Sequence, residues 1–167
     1  MINKLPVFLF ALALLGCSKS PEGKQIWAKP YLGQPAPAIT VEKWITPEPD
    51  TTGKFILVDF WATWCPPCLE SIPELNDFQE KFRDKLVVIG LTDESADTVR
   101  AMKQPKIAYA VATDTQGRMK KALEITGIPH VLVIDPHGIV RWEGLPTLQG
   151  SELTADVLRN LIDTYGK

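Results

Sequence analysis

The sequence predicts an α/β domain with a mixed central sheet that helices flank on both faces. Two continuous apolar runs of strand length, "FILVDFWA" and "KLVVIGLTD", are typical of strands buried on both sides. Segments with helical spacing follow each of them. In the last third, two strand-like runs are joined by the short turn "PHG", which indicates an antiparallel pair. Strands that alternate with helices and then form a hairpin predict a mixed sheet.

The first residues have the pattern that is typical of a targeting segment. Residues 1–16 combine Lys4 with an apolar run that is too short for a permanent membrane helix, which predicts a secretion signal. The run ends in "LLGC", which resembles the bacterial lipobox. This resemblance implies that Cys17 is lipidated and anchors the protein to a bacterial membrane, outside the cytoplasm and facing the periplasm.

The remaining chain divides into a tether and one domain. Residues 17–37 are rich in proline and lack an apolar period, so we expect a tether that becomes ordered towards its end. Residues 38–167 form the folded domain, which opens with an extra strand segment, "AITVEKWI".

The helices follow from apolar spacing. After the first buried strand, a helix runs from the cysteines to about Phe82, with its apolar positions three or four residues apart. Residues 94–103 and 108–114 predict a short helix and a strand, and residues 116–126 predict a helix that ends at Gly127. Residues 151–166 predict a closing amphipathic helix.

The composition excludes some functions. At 167 residues and 45 % hydrophobic content, the chain suffices for one domain with a core. Its formal charge of −2 and its lack of a lysine-arginine cluster provide no positive potential that would attract the phosphates of a nucleic acid, so we expect no nucleic-acid partner.

The stretch "WATWCPPC" holds Cys65 and Cys68, which are the only free thiols if Cys17 carries lipid. In a compartment where disulfides persist, they pair with each other or transiently with another molecule. From the spacing alone, the pair could be a redox couple, part of a metal site or a structural disulfide.

The position of Cys65 favours redox chemistry. It lies at the start of a helix, where free N–H groups and the helix dipole stabilise a thiolate, and Pro66 is tolerated in a first turn. We therefore expect Cys65 to be a partly exposed nucleophile of low pKa. Cys68, nearly one turn further in, is expected to be the shielded resolving thiol.

Asp59 stands inside a buried strand, six residues before Cys65. Burial disfavours its anion, so its pKa is expected to rise until it can carry a proton near neutral pH and take one from Cys68. The alternative is a strand-end aspartate that hydrogen-bonds a loop.

These residues resemble thioredoxins. The segment "ILVDFWATWCPPC", Pro73 and "TGIPHVLVIDPHGIVRWEG" match the thioredoxin active site, its helix-kinking proline and its cis-proline segment in the same order. The anchored N-terminus, the extra N-terminal strand and a helix-strand insertion at about 94–114 are most similar to the membrane-anchored TlpA/ResA type. The resemblance implies a thioredoxin fold and a cis-proline at Pro129.

The same resemblance implies how the site works. Cys65 and Cys68 would be the nucleophilic and resolving cysteines, and Asp59 the buried acid. The substrate-binding residues would be Trp64, Pro66, Ile128 and Pro129, and we count His130, which follows Pro129 but departs from the family, as a further candidate. No cofactor beyond the disulfide is expected. The implied activity is that of a thiol-disulfide oxidoreductase, which reduces clients such as the haem-binding cysteines of apocytochrome c or copper-site proteins.

The implied partners are client proteins with disulfides or thiols and a membrane thiol electron donor, with the protein itself a monomer. Oxidation of clients is the alternative direction of electron flow. Peroxidase chemistry is disfavoured because Ala62 stands where peroxiredoxins need threonine or serine.

His130 departs from the threonine that most relatives carry after the cis-proline. It could stabilise the Cys65 thiolate or tune substrate binding, or its side chain could point away from the sulfurs. With Cys65 and Cys68 it would also supply a soft ligand set for copper(I), so a copper(I)-binding chaperone is the hypothesis that competes with thiol-disulfide exchange.

Overall fold

The computed structural model of the protein describes residues 27–166. The predicted signal segment, the lipidation site Cys17 and the first part of the predicted tether lie outside the described residues. Within residues 27–166, no helix has the length and apolar character needed to cross a membrane.

A single mixed sheet of six strands forms the centre of the domain, in the order β1-β4-β3-β2-β5-β6. The strands are β1 Lys43–Trp44, β2 Phe55–Phe60, β3 Leu86–Thr92, β4 Ala110–Thr113, β5 His130–Ile134 and β6 Val140–Gly144. β2 pairs in parallel with β3, and β3 with β4. β5 is antiparallel to both β2 and β6, and β1 is antiparallel to β4. The predicted mixed sheet, with both apolar runs at its centre, is therefore confirmed.

The helices are α1 Pro66–Lys81, α2 Ala96–Ala101, α3 Arg118–Ala122 and α4 Ala155–Tyr165. The hydroxyl groups of Ser95 and Thr154 accept hydrogen bonds from the first turns of α2 and α4 and so cap them. The long helix α1 carries Pro73 in its interior.

Two apolar cores cover the two faces of the sheet. One core contains both Cys65 and Cys68, together with Leu57 of β2 and Val131 of β5, and we call this side the disulfide face. The other, the opposite face, contains Val58 and Phe60 of β2, Leu132 of β5, and Met119 and Leu123. Because side chains alternate along a strand, neighbours in sequence go to different cores.

The segment before residue 38 already packs against the domain. The N–H groups of Tyr31 and Leu32 donate to the buried carboxylate of Glu143 on β6, at 2.9 and 3.0 Å. The N–H of Gly33 donates to the carbonyl of Val140 at 2.8 Å. Hydrogen bonds from the main chain therefore hold residues 31–33 of the predicted tether against β6.

Several elements are shorter than predicted, and β1 and α3 are shortened most. Only Lys43–Trp44 of the predicted outer strand pairs with β4. The helix predicted to reach Gly127 ends at Ala122, because Glu124 has a φ of 52°, in the left-handed region that an α-helix excludes.

Candidate active site

Cys65 and Cys68 form a disulfide at the N-terminus of α1. Cys65 is the residue that precedes the helix, and Cys68 lies in its first turn. Cys68 is fully buried and Cys65 is 3 % exposed. Cys65 is thus less exposed than the sequence predicts, because in the disulfide it belongs to the apolar core of the disulfide face.

Two prolines limit the backbone donors beside Cys65. Pro66 and Pro67 have no N–H, and the N–H of Leu69 donates to the carbonyl of Cys65 at 3.1 Å. The N–H of Cys68 is therefore the first-turn donor left for a Cys65 thiolate, and the helix dipole adds to it. The several free N–H groups expected from a helix start are reduced to one.

The loop before the disulfide is fixed by Glu94, which follows β3. The N–H of Thr63 donates to one carboxylate oxygen of Glu94 at 2.6 Å, and the Thr63 hydroxyl donates to the other at 2.7 Å. Trp64, the next residue, is 68 % exposed, and Pro66 is exposed as well. The loop therefore holds an exposed apolar surface around a nearly buried disulfide.

Asp59 lies near the end of β2, where alternation places it on the disulfide face with Leu57. It is fully buried, and neither carboxyl oxygen has a hydrogen-bond partner among residues 27–166. Burial raises the pKa of Asp59 from 3.8 to about 8. A carboxyl group with this pKa holds a proton at neutral pH and can still release it, as proton exchange with a thiol requires.

The peptide bond between Ile128 and Pro129 is cis, the conformation that the thioredoxin resemblance implies. Pro129 is buried, and Ile128 packs against the core that contains both cysteines. A groove of about 290 Å³ runs between this loop and the exposed Trp64. Its lining consists of Trp64, Lys120, Ile125, Thr126, Gly127 and Ile128. The structure thus places Trp64 and Ile128 on one concave surface next to the disulfide.

Trp27 supports the cis-proline loop from the N-terminal segment. The carbonyl of Trp27 accepts a hydrogen bond from the N–H of Thr126 at 2.7 Å. Its ring covers Gly127 so closely that an added Cβ there would lie 2.4 Å from Cε3 of the indole. A side chain larger than hydrogen at Gly127 would therefore displace Trp27.

His130 does not lie with the other predicted site residues. It is the register partner of Phe60, whose ring lies 6.3 Å from the imidazole between centroids, and Phe60 belongs to the opposite face. Of the two predicted orientations of His130, the one that points away from the sulfurs is present and the one beside the sulfurs is wrong, because alternation along β5 turns the side chain to the opposite face.

The copper(I) ligand set is contradicted by the same geometry. Cys65 and Cys68 lie on the disulfide face and His130 on the opposite face, so the three side chains do not converge. No group of three or more histidine, cysteine, aspartate or glutamate side chains within the described residues is placed to hold a metal ion.

Sequence reasoning missed Glu94 and Tyr109. Glu94 fixes the cysteine loop. Burial raises the pKa of Tyr109, and the negative charge of the nearby Asp59 raises it further. Both missed residues belong to the segment 94–114 that the resemblance marks as an insertion. A tyrosine inside a short apolar strand run was the available signal for Tyr109. Nothing in the sequence marks Glu94.

The chain is similar in sequence to known proteins that are named for thiol-disulfide exchange. The Redoxin family model matches residues 32–160. The thiol:disulfide interchange protein DsbE of Pasteurella multocida is 31 % identical over 144 residues, which cover 81 % of this chain and 77 % of that protein. The thiol-disulfide oxidoreductase ResA of Bacillus thuringiensis is 32 % identical over 94 residues, which cover 54 % of each.

A solved structure shows the same fold. The thioredoxin domain of a thiol-disulfide oxidoreductase from Bacteroides vulgatus superposes with a TM-score of 0.63 at 24 % identity, over 81 % of this chain and 98 % of that one. The chain spans 54–64 % of the length of several curated relatives that it matches.

A mixed sheet, a Cys-x-x-Cys disulfide at a helix start and a cis-proline directly before β5 are the features of the thioredoxin-like superfamily. Within that superfamily the protein is of the TlpA/ResA type. The chain belongs to the Redoxin family.

Proposed function

We propose that the protein is a thiol-disulfide oxidoreductase that reduces disulfides of client proteins outside the cytoplasm. The observation that carries the proposal is the Cys65–Cys68 disulfide at the start of α1, on the sheet face that also holds the buried, proton-carrying Asp59. Relatives named thiol-disulfide oxidoreductase and thiol:disulfide interchange protein support it.

The reaction uses the two cysteines in turn. In the reduced protein the Cys65 thiolate attacks a client disulfide, forms a mixed disulfide and releases one client thiolate. Asp59, which in the reduced protein is the carboxylate left after it has protonated Cys68, then takes that proton back from the Cys68 thiol. The Cys68 thiolate attacks the Cys65 sulfur, which forms the Cys65–Cys68 disulfide and releases the second client thiolate. Two electrons pass from the dithiol to the client.

The client binds over the apolar surface that surrounds the disulfide. Trp64 and Ile128 line the groove beside the disulfide, and Pro66 and Pro129 stand close to them in the sequence, which supports this assignment. The proposal includes no bound cofactor beyond the disulfide. His130 has no part in client binding, because its side chain lies on the opposite face.

The lipobox-like sequence supports an anchored, extracytoplasmic protein that receives electrons from a membrane thiol carrier. Clients such as the haem-binding cysteines of apocytochrome c fit this location. Labelling with a radioactive fatty acid, lost in Cys17→Ser, tests the anchor.

The central test is mixed-disulfide trapping. Cys68→Ala leaves the nucleophile without its resolving thiol, so clients accumulate as mixed disulfides, whereas Cys65→Ala traps none. Non-reducing gels of both variants in cells show the difference. Equal trapping by the two variants, or trapping by neither, contradicts the proposed roles.

The direction of electron flow follows from the reduction potential. We propose reduction, because Pro66 and Pro67 lack the histidine that strong oxidants of this fold often carry between their cysteines, and because the resemblance is to reductases. Equilibration of the purified protein with glutathione or dithiothreitol buffers measures the potential. A value as oxidising as that of a dedicated disulfide donor contradicts the reductase assignment.

A further inference from the structure

Three buried side chains on the disulfide face carry polar atoms that make no hydrogen bond to any residue from 27 to 166. These atoms are both carboxyl oxygens of Asp59, Nε1 of Trp61 and the hydroxyl of Tyr109. Most buried polar atoms in proteins have a partner, so several unsatisfied ones in one place call for an explanation. The reaction described above uses Asp59 and leaves Trp61 and Tyr109 unexplained.

The three side chains converge at Gly90. Gly90 on β3 is the register partner of Asp59 on β2. A Cβ built on Gly90 would lie 2.9 Å from Nε1 of Trp61 and 3.0 Å from Cε2 of Tyr109. The missing side chain at Gly90 therefore makes room for an indole N–H and a phenol ring directly beside the strand position of Asp59.

The two partners can both donate hydrogen bonds. The indole N–H of Trp61 is a donor only, the Tyr109 hydroxyl can donate, and an ionised carboxylate can only accept. The indole N–H of Trp61 and the hydroxyl of Tyr109 are therefore donors suited to the ionised carboxylate of Asp59. Burial raises the pKa of Asp59, and no charged side chain in the described part of the chain offsets that effect.

The other groups around Asp59 do not fill this role. Its partner on β5 is the apolar Val131, and the Ser71 hydroxyl on α1 already donates to the carbonyl of Cys68 at 2.8 Å. The core of the same face also contains Cys65 and Cys68, which are joined in the disulfide. Charged residues on α1, α2 and α4 are exposed and include Glu70, Glu74, Asp97, Arg100, Asp156 and Arg159.

We propose that Tyr109 is a positioning residue for the redox reaction, whose hydroxyl, with the indole N–H of Trp61, supports Asp59 as a carboxylate after Asp59 has given up its proton. The inference rests on the proposed function. It gives the segment 94–114 a chemical role, since Tyr109 lies there just before β4.

The proton balance is simple. When a reductant thiolate attacks Cys65 in the disulfide, Cys68 leaves as a thiolate and takes the proton of the Asp59 carboxyl group, which becomes a carboxylate. When Cys68 later resolves a mixed disulfide, its thiol returns the proton to Asp59. Tyr109 is neither oxidised nor reduced and keeps its own proton throughout.

The test removes one oxygen. Tyr109→Phe keeps the ring against Gly90 and deletes the donor, so the Asp59 carboxylate loses support and its pKa rises. We expect the ¹³C titration of the Asp59 carboxyl group, and the pH midpoint of insulin-disulfide reduction, to move up by about one unit, or tenfold in proton affinity. Tyr165→Phe is the matched control, because Tyr165 lies on α4 with its ring over Arg141, and it leaves both midpoints unchanged.

Three outcomes overturn the inference. One is an unchanged Asp59 titration in Tyr109→Phe, even if the rate falls equally at every pH, since that indicates packing alone. Another is an equal shift in Tyr165→Phe. The third is a further shift of the rate midpoint when Tyr109→Phe is added to Asp59→Asn. If the wild-type protein reduced no disulfide at all, the proposed function would fail, but the carboxyl titration would still decide the role of Tyr109.

Discussion

Two buried aspartates at opposite ends of the sheet differ in their partners. Asp135 follows β5 at the hairpin and accepts hydrogen bonds from the N–H groups of His137 and Ile139, both at 2.9 Å, and from Nε of Arg141 at 2.7 Å. Asp59 lies near the end of β2 that leads to the disulfide, and it accepts none from the described residues.

The difference in partners reverses the pKa shift. Burial acts to raise the pKa of Asp135, but the hydrogen bonds from Ile139, Arg141 and His137 outweigh it, so the pKa is lowered. At Asp59 burial acts without such bonds, and the pKa rises to about 8. The fold can satisfy a buried carboxylate fully and does so at the hairpin. Beside the disulfide it leaves the carboxyl group able to exchange a proton.

The largest expected effect is on stability. Between pH 4 and pH 8 the folded protein keeps the Asp59 proton that the unfolded chain has lost, so the free energy of unfolding falls as pH rises. Asp59→Asn removes this cost. It should stabilise the protein by several kcal/mol at pH 9 and by almost nothing at pH 4, as measured by urea unfolding across that range.

Asp135→Asn provides the opposite trend in the same measurement. Its lowered pKa stabilises the fold above the pKa of the unfolded chain, and that contribution is lost as pH falls. We expect a loss of about 1–3 kcal/mol at pH 7, typical of hydrogen bonds to a charged group, that narrows towards pH 3. If the free energy of unfolding changed with pH in the same direction in both variants, hydrogen-bond partners would not be what distinguishes these two aspartates.

The next effect is on catalysis. Asp59→Asn cannot exchange a proton with Cys68, so the rate of insulin-disulfide reduction at pH 7 should fall tenfold or more. Asp135→Asn, far from the disulfide, should stay within twofold. A normal rate in Asp59→Asn would show that Cys68 loses its proton by another route.

The smallest effect is expected on the opposite face. His130→Asn should change the rate of insulin reduction less than twofold, because the imidazole packs beside Phe60 and not beside the sulfurs. Its free energy of unfolding should fall by about 1–3 kcal/mol, since a buried side chain is trimmed. A tenfold change in rate at unchanged stability would place His130 in the site after all.

Local pattern was enough to predict the centre of the fold. Continuous apolar runs gave β2 and β3 their central places, and spacing gave α1. The burial of Asp59 could be predicted because a charged residue inside such a run has no exposed face to occupy.

Features that depend on distant contacts could not be predicted. Glu94 meets Thr63 only after β3 returns beside β2, and the Tyr109 ring lies against Gly90, the strand neighbour of Asp59, only because Gly90 has no side chain. The direction of His130 depends on where alternation begins after the cis bond at Pro129, which spacing alone does not show.

The contact between Trp27 and Gly127 also bears on where the proposed reaction can take place. Trp27, the first described residue, lies at the edge of the groove beside Trp64, since Gly127 lines that groove. If lipid is attached at Cys17, the span from Cys17 to Trp27 is at most about 35 Å even when fully extended. The reactive disulfide would then work within a thin layer above the bilayer, so clients held at that surface would meet it far more often than freely diffusing ones.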